Sequence, residues 1–179
     1  GVPDVPLSSY DFAPDLKPLV IAQNIQDEPK SYSGLVSWKP NGTEKLEFRN
    51  GLELNGATLR LKGDVVIHGG IKGQGALIVD GKLTITGTND LKADNQVALL
   101  AGGDIEVLGV SKESSQFQGL LYSKGPKGVH IENATVLGTV LAAGKDPQTG
   151  KGSSIEIEKA TLAHTKQSLG VDIVQGWSG

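Results

Sequence analysis

His68, His130 and His164 are the chain's three histidines, and His130 stands where chemistry would need it. It occupies the polar position of an alternating run, one repeat beyond Glu106 and one before Glu156. Imidazole and carboxylate together are competent ligands for transition metals. On strands stacked about 4.8 Å apart, however, a Glu/His/Glu ladder also arises as a set of solvated cross-strand pairs. The solvated ladder is the expectation, with no metal and no cofactor. Asp64, Lys82 and Asp104 share one repeat position, and Asp80, Asp90 and Asp94 lie near another. Paired carboxylates could run acid/base chemistry or hold Ca²⁺. Aspartate is equally common in turns because its side chain bonds nearby backbone N–H groups, and this turn role is expected here. Residues 69–75 (Gly-Gly-Ile-Lys-Gly-Gln-Gly) imitate a phosphate loop but lack the Gly-Lys-Ser/Thr ending and a following helix pattern. No serine sits in a Gly-x-Ser-x-Gly elbow. Within the alternating runs only the coil of Thr84 and Thr86 carries a Thr-x-Thr pair, too little for an ice-binding threonine surface. Without cysteine there is no disulfide framework, thiolate metal site or cysteine nucleophile. No catalytic residue emerges, and the protein is not expected to be an enzyme.

These residues are carried by a degenerate repeat. In it, an apolar run meets a Gly-bounded corner and restarts as an alternating pair. Leu59-Arg60-Leu61-Lys62-Gly63-Asp64-Val65-Val66-Ile67-His68-Gly69 is one copy, and Leu77-Ile78-Val79-Asp80-Gly81-Lys82-Leu83-Thr84-Ile85-Thr86-Gly87 is the next. Leu99-Leu100-Ala101-Gly102-Gly103-Asp104-Ile105-Glu106-Val107-Leu108-Gly109 is a third. Leu61 to Val79 spans 18 residues and Val79 to Ala101 spans 22, the length of one coil with three short sides. A repeat near twenty residues predicts a stacked, quasi-one-dimensional fold. Counting the longer-cornered copies at Trp38, Tyr122 and Val140, about six coils lie between Ser33 and Ile157. The fold class is therefore all-β: a single parallel β-helix, or β-solenoid, expected to be right-handed.

Strand side chains alternate between faces. The inward stack is Leu46, Val65, Leu83, Ile105, Val129 and Ile155, doubled by Phe48, Ile67, Ile85, Val107, Ile131 and Ile157. Between them Glu47, Val66, Thr84, Glu106, His130 and Glu156 should face water. Leu59, Val65, Ile71, Leu77 and Leu83 recur every six residues, as six-residue sides demand. The corner after each pair holds Asn50, Gly69, Gly87, Gly109 and Asn133, the residue types that most readily take positive φ. The last copy breaks this rule at Lys159, and Asn is expected to be tolerated at Gly87. Tight corners also account for 25 glycines in 179 residues.

The remaining sequence divides the chain and limits its partners. Residues 1–15, with Pro3, Pro6 and Pro14, read as an extended arm. Residues 16–32 form a cap or, preferably, a degenerate first coil, because residues 19–22 resemble residues 77–80. Residues 33–163 are the solenoid, and residues 164–179 a final strand, from Leu169 to Val174, and a cap that includes Trp177. A net charge of −3, with Arg49 and Arg60 as its two arginines, argues against a nucleic-acid groove. No run approaches the roughly 18 apolar residues of a membrane helix, so a soluble chain is expected. A first residue of Gly and no Met point to a trimmed or mature fragment, so membrane contact is expected only through a segment outside the sequence. The grown corners, residues 39–44, 124–128 and 144–153, should project from one edge. There Lys124, Lys127, Lys145 and Lys151 make a locally basic surface, the candidate contact for a protein partner or a glycan.

Residues 59–144 resemble the solenoid-like segments of exported type IV pilus accessory proteins and minor pilins. The phrases that carry the likeness are residues 77–87, Ala98-Leu99-Leu100-Ala101-Gly102-Gly103-Asp104-Ile105 and Phe117-Gln118-Gly119-Leu120-Leu121-Tyr122-Ser123, in this order. The resemblance implies an extracellular, cell-surface or pilus location and a non-enzymatic role in structure, assembly or display. Partners would be proteins, or further copies of the chain, at the cell envelope. Bactofilin-like solenoids are a more distant likeness and imply a cytoplasmic filament instead, although the insertion at residues 144–152 would interrupt a smooth fibre. A polysaccharide-binding or polysaccharide-cleaving β-helix is the third alternative; cleavage would need a carboxylate set on one face, which the sequence does not assemble. A hexapeptide acyltransferase is disfavoured, because the six-residue spacing is short-lived and no histidine suits its chemistry.

Overall fold

The computed structural model describes residues 4–163 and the backbone of Asp172–Gln175. Apart from one 3-10 turn at Leu7–Tyr10, its regular elements are strands, numbered here in chain order. One sheet stacks β1 (Leu19–Val20), β4 (Leu35–Trp38), β6 (Leu52–Leu61), β8 (Ile71–Val79), β10 (Asp90–Ala101), β12 (Gln116–Ser123), β14 (Thr135–Ala142) and β16 (Thr161–Ala163). Within it β3 (Lys30–Tyr32) pairs with the first part of β6. The other sheet stacks β2 (Ile25–Gln26), β5 (Leu46–Phe48), β7 (Val65–Ile67), β9 (Leu83–Gly87), β11 (Ile105–Gly109), β13 (Gly128–Glu132), β15 (Ser154–Glu158) and β17 (Asp172–Gln175). Each named strand pairs in parallel with its counterpart one coil away. The chain is a β-solenoid of about six turns, as the repeat predicts. Parallel pairing begins at Leu19, within the segment expected to be a cap or degenerate first coil.

Alternation sets the core. Val65, Leu83, Ile105, Val129 and Ile155 stack in register, with Ile67, Ile85, Val107, Ile131 and Ile157 beside them, and each is buried. Leu59, Val65, Ile71, Leu77 and Leu83 are fully buried too, so the six-residue spacing does mark three sides of a coil. Burying a side chain of this size stabilises the fold by about 1.5–3 kcal/mol, and repetition along the axis compensates for the scarcity of aromatics.

The corners correct the sequence reading. Gly69, Gly87 and Asn133 take positive φ as expected, and so does Lys159, at +48°, despite its side chain. Asn50 and Gly109 do not; the bend after Phe48 falls on Gly51, at +86°. Gly109 is required for space instead, since a Cβ there would lie 2.1 Å from the Asn133 carbonyl oxygen. At Gly87, φ is +116° and a Cβ would sit 2.6 Å from the Gly70 nitrogen of the neighbouring coil. Asparagine is therefore excluded there as firmly as any larger residue, contrary to the sequence expectation. The same crowding explains the loop-like run at residues 69–75. A Cβ at Gly73 would meet the Leu54 carbonyl oxygen at 2.0 Å, so these glycines serve coil stacking.

The arm is not simply extended. Its 3-10 turn lays Leu7 and Tyr10 against Ile78, Leu100 and Tyr122, outward-facing residues of β8, β10 and β12 that are buried beneath it. Trp177, His164 and Leu169 to Val171 lie outside the described residues; β17 extends the second sheet alongside β15.

Candidate functional site

The outer face of the second sheet carries the row Val66, Thr84, Glu106, His130, Glu156, polar from Thr84 onward, in register across β7, β9, β11, β13 and β15. The corner preceding each strand is stacked as well. Asp64 Oδ1 accepts the Lys82 N–H at 2.8 Å, and Asp104 Oδ1 accepts the N–H groups of Lys127 and Gly128 at 2.9 and 3.0 Å. These two carboxylates tie one coil's corner to the next, the local role expected of turn aspartates. Asp80 pairs with Arg60 at 2.7 Å, and Asp94 accepts from Gln74 Nε2 at 3.2 Å.

The corner at residues 144–153 has become a hairpin. Its base is closed: the Ser153 N–H donates to the Gly144 carbonyl at 2.9 Å, and the Gly144 N–H donates to Ser153 Oγ at 3.1 Å. Lys145 and Gly152 form an antiparallel bridge above it. At the tip, Asp146 Oδ1 accepts the N–H groups of Gln148 and Thr149, a side-chain-stabilised turn. Between this hairpin and the outer face of β11, β13 and β15 opens a cleft of about 670 Å³. Glu106, His130 and Glu156 lie along it with Lys82, Lys127, Asp146 and Lys151, and its lining contains no Phe, Tyr or Trp.

The four lysines expected at one edge therefore separate. Lys127 and Lys151 line the cleft, while Lys145 sits in the hairpin outside that lining. Lys124 turns to the arm, with Nζ 3.0 Å from the Asp4 carboxylate and donating to the Val5 carbonyl at 3.1 Å. The arm's other anchor is Arg60, only 4% exposed, which contacts Asp11 at 2.9 Å as well as Asp80. Desolvation pushes Asp11 upward, but hydrogen bonds and charge from Lys62 and Arg60 prevail and hold it below the ordinary carboxylate range. Burial raises the Tyr122 phenol.

His68 Nδ1 lies 3.1 Å from Thr86 Oγ1 and its Nε2 3.7 Å from Glu47 Oε1, so it faces one carboxylate on the outer face. His130 has richer surroundings. Its Nδ1 is 3.2 Å from Glu156 Oε2 and its Nε2 is 3.6 Å from Glu132 Oε2. Donor atoms of His130, Glu132 and Glu158 lie within 4.8 Å of one another. Glu132 and Glu158 were missing from the sequence reading, although both lie two residues along the same strand face from His130 and Glu156 and are paired in register. A second opening, of about 460 Å³, follows the glycine corner past Gly51, Gly69 and Gly70, with Lys72 and Glu53 paired at 3.4 Å on its rim. Comparison with protein-family models, curated proteins and solved structures finds no match to this chain.

Proposed function

We propose that the chain is a rigid, non-catalytic solenoid that presents a docking surface, serving structure or assembly in an exported, cell-envelope protein, and that the hairpin-walled cleft receives a protein partner. The observation that carries this reading is the construction of the hairpin. Its two ends are hydrogen-bonded to each other, so residues 145–152 are not needed to close the coil, yet they form one wall of the cleft. A loop that is dispensable for a repeat and held firmly by it is the usual location of a contact surface. The lining mixes lysines with carboxylates and offers no Phe, Tyr or Trp face on which a sugar could stack, which favours a charged polypeptide over a neutral glycan. The envelope location rests on the pilus-type resemblance of residues 59–144.

Trimming residues 144–152 to a short Gly corner tests the proposal. The thermal midpoint should stay within a few degrees of the parent, while attachment or assembly at the cell surface is lost. Undiminished assembly refutes the cleft as the contact. Turnover of a polysaccharide that disappears on mutating Glu106 and His130 would make the protein an enzyme instead.

A further inference from the structure

We propose that His130, Glu132, Glu156 and Glu158 form a binding site for a divalent transition-metal ion, best suited to Zn²⁺, on the outer face of β13 and β15. The four side chains make a two-by-two patch. His130 is opposite Glu156 and Glu132 is opposite Glu158, each pair in parallel register. The imidazole stands among the carboxylates, with Nδ1 facing Glu156 and Nε2 facing Glu132. A neutral imidazole carries one N–H and can serve only one of the two. Like charges directly opposite on neighbouring strands repel, and Glu132 and Glu158 are such a pair. Among the described ion pairs, Glu132 and Glu156 meet only His130, and Glu158 meets none. The patch thus gathers three carboxylates and one imidazole with no lysine or arginine among them.

A divalent cation resolves both problems. It takes one imidazole nitrogen as a ligand, leaves the other its N–H for a carboxylate, and offsets the charge between the two rungs. Zinc bound by nitrogen and oxygen at about 2.0–2.2 Å holds its donors roughly 3.3–3.6 Å apart. The present spread of 4.8 Å closes by rotation of the exposed Glu158 side chain. The imidazole selects against Ca²⁺ and Mg²⁺, which favour shells of oxygen alone. Strand residues supply all the donors, so the site stands without the hairpin; His130 and Glu156 also line the cleft, and a titration made with no partner present tests the ion apart from the docking reading.

The test is calorimetric titration of Zn²⁺ into metal-stripped, tag-free protein at pH 7.5. One ion per chain should bind in the low-micromolar range or tighter. His130→Ala and the double variant Glu132→Gln/Glu158→Gln should each weaken binding by roughly tenfold or more, as loss of even outer-shell partners does. Their urea midpoints should match the parent's, and Glu106→Gln should bind as the parent does. Absence of saturable Zn²⁺ binding overturns the proposal, as does parent-like affinity in His130→Ala. Ca²⁺ binding as tight as Zn²⁺, or a loss on Glu106→Gln equal to that on His130→Ala, would also overturn it.

Discussion

Gly87→Ala and Gly34→Ala, compared side by side, separate the two costs that a corner of this solenoid imposes. Both glycines have positive φ, +116° at Gly87 and +70° at Gly34. A side chain at either position meets the backbone penalty of about 1–2 kcal/mol. At Gly34 nothing lies within 4 Å of the added Cβ, so the penalty ends there. At Gly87 the Cβ falls 2.6 Å from the Gly70 nitrogen and 2.8 Å from the Gly69 carbonyl carbon. Those atoms belong to the backbone of the adjoining coil and cannot rotate aside, so the coils must separate locally. Overpacking of this kind adds about 1–3 kcal/mol. Gly34→Ala should therefore cost about 1–2 kcal/mol and Gly87→Ala about 2–5 kcal/mol, the latter a large part of the roughly 5–15 kcal/mol that holds a domain together. Urea melts followed by far-ultraviolet circular dichroism measure both, with the difference in midpoint at unchanged m-value reporting the stacking cost. Gly87→Asn should behave like Gly87→Ala, because +116° lies well outside the left-handed well near +57° that asparagine tolerates. Equal midpoints for the two alanine variants, or a neutral Gly87→Asn, would show that the coils do not approach as closely as described.

Two further outcomes follow from burial and charge. Ile85→Asp should prevent folding, since an unpaired carboxylate in the dry stack costs several kcal/mol; Thr84→Asp, on the outer face, should change stability by about 1 kcal/mol or less. Thermal melts and soluble yield compare them, and equal effects would mean the facing is reversed. The arm should loosen in acid. Asp11 is depressed in the folded state, so its contribution is complete above the ordinary aspartate value of about 3.9 and is lost as pH falls through the lower folded value. Protease cleavage in the arm should rise below that pH in the parent and rise distinctly less in Asp11→Asn, which keeps only the Asp4–Lys124 pair as a carboxylate anchor; cleavage independent of pH in the parent would refute the Arg60/Lys62 anchor.

Period and alternation are local properties, and for that reason the sequence alone determined the coil, its inward stack and the outer row. The pairs from Leu46/Phe48 to Ile155/Ile157 can point the same way only if a fixed number of sides separates them, and that constraint is written in their spacing. The turn role of Asp64 and Asp104 was legible for the same reason. What the sequence could not determine depends on groups brought together across coils or from the arm. Asn50 and Gly109 look alike as corner residues, yet the backbone of the neighbouring coil decides that one needs no positive φ and the other needs empty space. Ile78, Leu100 and Tyr122 look like misplaced core residues until the arm is seen to cover them. Lys124 looks like its fellow lysines until Asp4 and the Val5 carbonyl claim it. His130 and Glu132 meet Glu156 and Glu158 only because parallel register sets residues 26 apart opposite each other. Such encounters are fixed by coil length and corner insertions, and these emerge only when the whole stack closes.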